Sequence, residues 1–241
     1  CLARAVALCE GEGVDHLVAT PLLITRGFWE RLFVPFFSIA LVSRFRIWRA
    51  SRPRSRFYAG IGAFTLVRRS LYETAGTHGA IRGEAVDDLL LGRLVKRAGG
   101  RQKLVAGEGC LRVRWNVGLS GLLGGLEKNA YAGFGFNPYL TVAGCLGLLC
   151  LTLLPAAAPL RLLWAPGGPA WWAGMAGACV WGSFALLYRL AARGTQTGTL
   201  YFLTFPLGAL LLCWAIARSA LMYHLRGGIR WRGTVYRKGG I

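Results

Sequence analysis

Three long stretches of this chain contain no Asp, Glu, Lys or Arg: 129–160, 162–188 and 194–217. A helix needs about 20 apolar residues to cross the hydrocarbon core of a bilayer, and each stretch is long enough to do so. All Asp and Glu residues lie before residue 129, where charges mix with short apolar runs as they do in a soluble domain. The sequence therefore predicts a globular first half followed by membrane helices near 139–160, 169–188 and 199–222.

Cysteine usage argues against a metal site or a disulfide framework. The chain has seven Cys. None forms a Cys-x-x-Cys pair, and four lie in the apolar stretches, where Cys acts as a small hydrophobic residue. This pattern favours a soluble half in a reducing compartment. The chain begins with Cys1 inside an amphipathic helical pattern, so we expect the natural protein to begin upstream.

The net charge of +19 suggests an anionic partner. The arginines cluster beside apolar segments, at 44–56 and again in the tail at 226–238. Basic segments next to membrane spans usually face the anionic cytoplasmic leaflet. We therefore expect a membrane partner and no nucleic acid.

Local patterns in the first half predict alternating strands and helices. The β-branched run 14–23 predicts a strand that ends near Pro21. The aromatic run 27–42, interrupted by Pro35, predicts a surface or interfacial helix. The remaining predictions are a strand at 57–69, a helix at 70–76 with Ser70 as N-cap and Gly76 as stop, strands at 101–108 and 110–115, and a glycine-rich amphipathic segment at 117–136.

The stretch 83–100, GEAVDDLLLGRLVKRAGG, concentrates carboxylates in a basic chain. Its apolar residues repeat with helical spacing from Val86, and Gly99 ends the pattern. Asp87 and Asp88 then lie in the first turn of a helix. One interpretation is that they only complement the helix dipole, which is worth about 0.3–1 kcal/mol for each charge. The other is that they perform chemistry.

The order of several motifs resembles membrane-bound family 2 glycosyltransferases, and most closely the carotenoid and ceramide-type lipid enzymes. The matching segments are GAFTLVRR, YETAGTH, VDDLLLGRLVKRAG, GLEKN and the tail IRWRGTVY. The resemblance covers roughly residues 14–136 and the tail. It implies an α/β fold, namely the acceptor-side part of a GT-A (Rossmann-like) domain followed by C-terminal transmembrane helices. The implied division is 1–136 catalytic, with interfacial helices, 137–223 transmembrane and 224–241 basic tail.

The resemblance implies an inverting transfer of one sugar from a nucleotide-sugar donor to a membrane lipid acceptor. It assigns the catalytic base to Asp88, with Asp87 beside it, and gives Glu84 only a loop or capping role. The glycines Gly60 and Gly62 leave room where a ligand or a backbone segment approaches closely. Further substrate-binding candidates are His78, Arg112, Arg114 and Trp115. His78 would act near the phosphates, or else be structural as exposed loop histidines usually are. The other three would contact pyrophosphate or acceptor, or else only form an amphipathic strand.

Three departures from the family pattern matter. The acidic pair is Asp-Asp instead of Glu-Asp, Gly76 is followed by Thr77 where the family has a second glycine, and position 111 is Leu, so the Gln/Arg-x-x-Arg-Trp motif of processive members is incomplete. The last departure favours single-sugar transfer. The donor-binding Asp-x-Asp motif, which would hold Mg²⁺ or Mn²⁺, is also missing and is expected upstream of Cys1, so this chain alone is expected to lack activity.

Membrane orientation follows from the same expectations, and one conflict remains in it. A catalytic half on the cytoplasmic side of a bacterial inner membrane and three spans would place the tail outside, yet the tail is basic and favours the inside. Pro155 and Pro159 could break the first span, and a charge at Arg218 is costly in its apolar surroundings unless the side chain snorkels or meets a partner. We expect the tail to return to the cytoplasmic face, with Trp231 and Tyr236 at the interface, and the alternative is an exposed basic tail outside. An alternative function stays open: a non-catalytic membrane scaffold or transport subunit whose soluble half binds a partner.

Overall fold

The structure is a computed structural model that describes residues 1–52, 54–84, 86–163, 168–231 and 234–236. These residues are mostly helical, with a small mixed sheet. The chain divides into two compact units. The first combines Cys1–Ile24, Ala40–Trp115 and Arg230–Ile241, and the second combines Thr25–Ile39 and Asn116–Ile229. The division into 1–136, 137–223 and 224–241 stays a prediction, because it follows chain order whereas the units group residues by contact.

Helices and strands alternate in the first half, and long helices follow. In chain order the elements are α1 (Leu2–Glu12), β1 (His16–Thr20), β2 (Leu22–Leu23), α2 (Phe28–Phe45), β3 (Thr65–Val67), α3 (Arg69–Thr74), α4 (Asp87–Arg97), β4 (Gln102–Ala106), β5 (Arg112–Val113), α5 (Gly118–Asn129), α6 (Pro138–Ala157), α7 (Gly168–Thr195), α8 (Phe205–Arg226), β6 (Ile229–Trp231) and β7 (Thr234–Tyr236).

The sheet of the first unit has the order β3-β1-β4, with β1 in the centre. Strand β1 runs parallel to β4 and antiparallel to β3. As predicted, the first strand ends before Pro21, and the chain then forms β2, which pairs in parallel with β5. The strands predicted at 101–108 and 110–115 also form, although both are shorter than predicted.

Both faces of β1 are covered, which explains why Leu17, Val18 and Ala19 are consecutive apolar residues in this strand. Neighbouring residues of a strand point to opposite faces. Leu17 packs with Ala5 and Val14 beside α1. Val18 packs with Ile47 and Ala50 from the segment that follows α2. Two core clusters of the first unit therefore lie on the two faces of this strand.

The predicted surface or interfacial helix at 27–42 forms as α2, and its residues 32–36 are buried, whereas Phe28, Trp29 and Arg31 before them are exposed. Phe36 stacks on Phe184, and Gly208 of α8 leaves the space that its ring occupies. Glu30 is buried too, and its carboxylate accepts hydrogen bonds from the backbone N–H groups of Arg26 and Gly118. The pattern 27–42 gave no sign of these partners, which come from residues far along the chain.

Two further predictions in the first unit need correction. The strand predicted at 57–69 is only β3, because residues 57–64 follow an irregular path against α4. The helix predicted with Ser70 as N-cap begins at Arg69, after Arg68. Arg68 keeps an extended backbone because its N–H donates to the carbonyl of Asp15 at 2.8 Å, and Ser70 therefore lies inside the helix. Gly76 has a positive φ of 93° just beyond the helix end.

Within the described residues, three helical segments are long and apolar enough to cross a membrane: Pro138–Leu163, Trp171–Thr195 and Thr199–Arg226. They confirm the predicted stretches and indicate a membrane protein by length and composition. The first contains the predicted irregularity. Helix α6 passes through Pro155 and ends at Ala157, and a 3₁₀ helix continues to Leu163. A proline lacks the N–H that an α-helix needs, so Pro155 and Pro159 together weaken this turn.

Arg218 in α8 has the partner that its apolar surroundings require. Its guanidinium lies 3.2 Å from the carboxylate of Glu127, which also contacts Arg226 at 2.7 Å. The hydroxyl of Ser219 donates to the backbone carbonyl of Glu127 at 2.7 Å. Because the Glu127 side chain is only 14% exposed, these contacts anchor the end of α5 to α8. The prediction for Trp231 and Tyr236 falls on side chains outside the described residues.

We expect Glu127→Gln to lower the free energy of unfolding by about 1–3 kcal/mol, because two guanidinium groups lose their shared anion in a partly desolvated place. The matched control is Glu73→Gln, which removes an exposed pair with Arg69 in one helix. Exposed pairs of this kind are worth about 0.3–0.5 kcal/mol. Denaturant unfolding in detergent, followed by tryptophan fluorescence, measures both. Equal losses would contradict a special role for Glu127.

Candidate functional site

Helix α4 forms at the predicted place and holds both aspartates in its first turn. Asp87 is exposed and Asp88 is half-buried. One oxygen of the Asp88 carboxylate accepts a hydrogen bond from the backbone N–H of Gly62 at 2.9 Å. The other accepts one from the N–H of Leu89 at 2.7 Å. The carboxylate predicted to act as the base is thus held in one orientation by the backbone.

The backbone of residues 59–62 lies directly against α4. A Cβ atom added at Gly60 would lie 1.9 Å from the carbonyl oxygen of Asp88, and one added at Gly92 would lie 2.0 Å from the carbonyl oxygen of Ala59. Real side chains cannot occupy either position, so both glycines are required for this contact. The close backbone approach that the sequence predicted at Gly60 is present, and it brings Gly60 and Gly62 to Asp88.

A buried polar network holds the same backbone segment from the other side. The side-chain amide of Gln102 accepts from the N–H of Ala59 at 2.7 Å and donates to its carbonyl at 2.9 Å. The same amide donates to Nδ1 of His16 at 2.6 Å. Nε2 of His16 contacts the hydroxyl of Thr65 at 2.7 Å. Both backbone groups of residue 59 are therefore bound by the Gln102 side chain, which His16 holds in place in turn.

His16 works in this network as a neutral imidazole. Burial lowers its pKa to about 4, because the charged form loses its hydration. Since Gln102 donates to Nδ1, the proton of the neutral ring is on Nε2, where it donates to Thr65. Sequence reasoning missed both residues. The signal that could have found them is a polar residue at the start of β1 and another at the start of β4. The register between these strands pairs His16 with Gln102.

His78 lies in the short 3₁₀ helix His78–Ile81 before α4. Its Nδ1 is 2.6 Å from the hydroxyl of Tyr72, and its backbone N–H donates to the same oxygen at 3.0 Å. Ile81 of this helix packs on Leu91 and Val95 of α4. The ring of His78 is exposed and is oriented by Tyr72. Its proposed role near the phosphates stays a prediction.

The other candidates lie on or beside β5. Arg112 and Arg114 are exposed and share one side of the strand by their spacing, while Trp115 is half-buried. Glu84 lies in the turn before α4, where its N–H donates to the carbonyl of Ile81 at 3.1 Å. This position agrees with a loop role for Glu84.

A divalent metal would need more ligands than this site supplies. Hard cations such as Mg²⁺ bind several oxygen ligands. Among the described residues, no group of three His, Cys, Asp or Glu side chains could hold a metal ion. Asp87 and Asp88 therefore do not form a complete metal site within this part of the chain.

No protein-family model, no curated protein and no solved structure matches this chain. The functional assignment therefore depends on its own residues and on the geometry around Asp88.

We expect Gly60→Ala to destabilise the first unit by about 1–3 kcal/mol or more, because the added methyl group collides with the backbone of Asp88. Gly109→Ala is the matched control, since a Cβ there meets no atom within 4 Å. Thermal unfolding gives the stability, and hydrogen exchange of the α4 amides reports the displacement. Unchanged exchange in α4 with Gly60→Ala would show that the contact does not position this helix.

Proposed function

We propose that this chain is the acceptor-side and membrane part of an inverting glycosyltransferase, which moves one sugar from a nucleotide-sugar donor to a membrane lipid. The observation that carries the proposal is the Asp88 carboxylate, held by the N–H of Gly62 in the first turn of α4. The order of motifs on either side of Asp88 adds support, as does the presence of three apolar helices after them.

In this proposal Asp88 is the general base. As the acceptor hydroxyl attacks, its proton passes to the Asp88 carboxylate, and the acceptor oxygen bonds to the anomeric carbon. The bond from that carbon to the nucleotide diphosphate breaks, and the diphosphate leaves with the electron pair. Attack opposite the leaving group inverts the anomeric centre. The N–H of Gly62 fixes the carboxylate, and the helix N-terminus favours its ionised form.

The small residues beside Asp88 support a bulky acceptor. Gly62 has no side chain next to the carboxylate, so an acceptor hydroxyl has room to approach. Leu at position 111 leaves the processive motif incomplete, which supports transfer of a single sugar. We assign acceptor or diphosphate contacts to His78, Arg112, Arg114 and Trp115.

The fold and the metal are part of the same proposal. We propose that the sheet β3-β1-β4 is the acceptor-side edge of a GT-A domain. A divalent ion, Mg²⁺ or Mn²⁺, would stabilise the leaving diphosphate. The described residues contain no group of three ligands for such an ion, so most of its ligands would lie outside them.

We expect Asp88→Asn to lower sugar transfer by about 10²–10⁴-fold, the range for losing a positioned general base. The assay offers radiolabelled nucleotide sugars to membranes that carry the full-length natural protein. Glu108→Gln, an exposed carboxylate of the same unit, is the control and keeps full activity.

The outcomes separate the possible failures. Retained transfer in Asp88→Asn would exclude Asp88 as the base. Label found only in long polymer or in a water-soluble product would contradict a single sugar on a lipid. No transfer from any donor by the unaltered protein would favour the scaffold function instead.

We also propose that the first unit faces the cytoplasm at a bacterial inner membrane and that the basic tail returns to that face. Membership of Arg230–Ile241 in the first unit supports this orientation. A cysteine at Thr234, in a variant without the seven native cysteines, should resist a membrane-impermeant thiol reagent in intact cells. Gly109→Cys, also in the first unit, is the control and should resist equally. Labelling at Thr234 alone would contradict a tail on the same face.

A further inference from the structure

The first unit contains a cavity of about 460 Å³ that lies outside the candidate active site. It is formed by the segment between α2 and β3. Five arginines line it together with one serine and one aromatic ring: Arg46, Arg49, Arg52, Arg54, Ser55, Arg56 and Phe57. We call it the arginine cavity. Its volume lies within the range of about 300–1,000 Å³ that small-molecule sites occupy.

Three of these arginines surround the ring of Phe57. The guanidinium carbons of Arg46, Arg49 and Arg56 lie 5.7, 5.1 and 5.6 Å from its centroid. The face of an aromatic ring attracts cations, so Phe57 offsets part of their mutual repulsion. Among the described residues, the ion pairs lie elsewhere and none of them involves an arginine of the cavity. Like charges gathered without a counter-ion raise the local positive potential.

Several contacts anchor the backbone that carries Arg46, Arg49 and Arg52. Ile47 and Ala50 are buried beneath it against Val18. The ammonium group of Lys96 donates to the carbonyl oxygens of Ala50 and Arg52 at 2.7 and 2.9 Å. The hydroxyl of Ser51 accepts from the N–H of Leu104 at 3.0 Å. A ligand would therefore find the cations already gathered, which reduces the entropy lost on binding.

We propose that the arginine cavity binds a phosphate group. Guanidinium groups form paired, planar hydrogen bonds with phosphate oxygens, and five of them exceed what a single carboxylate could use. The volume leaves room for a substituent on the phosphate, with Phe57 as an apolar wall. A lipid headgroup and a soluble phosphate or diphosphate share this chemistry.

The proposal does not depend on sugar transfer, although it bears on where a phosphate-bearing molecule could sit. Phe57 precedes Gly62 by five positions, and a chain of that length spans at most about 18 Å. Phe57, which lines the arginine cavity, therefore lies within about 18 Å of Gly62, whose N–H binds the Asp88 carboxylate. Binding alone tests the cavity, so a failed transfer assay would leave this test intact.

The test measures binding to the full chain in neutral detergent and in nanodiscs. Isothermal titration with inorganic phosphate and pyrophosphate covers the soluble source. Phosphatidylcholine nanodiscs with and without phosphatidic acid cover the lipid source. The variant is Arg49→Gln/Arg52→Gln. Its matched control is Arg4→Gln/Arg97→Gln, which removes two exposed arginines of the same unit that lie outside the cavity. Thermal unfolding verifies that all variants are folded.

We expect the cavity variant to bind at least about tenfold more weakly, which corresponds to about 1.4 kcal/mol. The control should change by less than about twofold, since it removes the same charge without a direct contact. Arg49→Lys/Arg52→Lys keeps the charge but loses the planar fork, so its binding should also weaken. The arm that shows these effects identifies the source as soluble or lipid phosphate.

Three results would overturn the proposal. One is the absence of phosphate-dependent binding in both arms. Another is an equal loss in the cavity variant and its control, which would mean attraction by net charge alone. The last is full binding by the lysine variant, because a merely basic surface would not distinguish lysine from arginine.

Discussion

The contact between α4 and residues 59–62 is the constraint on which the geometry around Asp88 depends. Neither Gly60 nor Gly92 has a side chain, so the two backbones touch, and the N–H of Gly62 reaches the Asp88 carboxylate. An ordinary loop would leave room for a side chain and would let the carboxylate rotate. Here the absence of a side chain at Gly60 and Gly92 allows the close contact in which the N–H of Gly62 fixes the orientation of the Asp88 carboxylate. This is a use of glycine that helix propensity, which disfavours Gly92 in α4, would not suggest.

The central strand extends this constraint into the core. His16 and Gln102 face each other across β1 and β4, and Gln102 binds both backbone groups of Ala59. Buried polar groups are costly unless every one is bonded, and here a neutral imidazole, an amide and a hydroxyl satisfy one another. The hydrogen bond that Nδ1 of His16 accepts from Gln102 therefore requires the neutral ring, as does the burial that lowers its pKa. The core network fixes Ala59, and the glycine contact beside Ala59 brings the N–H of Gly62 to the Asp88 carboxylate.

Features that depend on local sequence were predictable, whereas features that depend on distant partners were not. The apolar stretches, the strand before Pro21 and the first-turn position of Asp88 follow from periodicity and end signals. The burial of α2 was missed because Phe184 and Gly208 lie far along the chain. Ser70 was misplaced as N-cap because the bond from Arg68 to Asp15 moved the helix start. His16 and Gln102 gain their importance only from the register between two strands.

The partners of the charged side chains also depend on contacts between residues that are distant in the sequence. With a net charge of +19, most cations of this chain have no carboxylate of their own, and the sequence does not show which of them are paired. The structure shows which arginines form ion pairs. Arg218 and Arg226 share Glu127, so their charge is used within the fold. The arginines around Phe57 are gathered over a buried support, and gathering like charges costs energy unless an anion arrives. The arginines around Phe57 repel one another and so do not stabilise the fold by themselves, whereas Arg218 and Arg226 do so through Glu127. This difference is the physical reason to assign the arginines around Phe57 to an external anion.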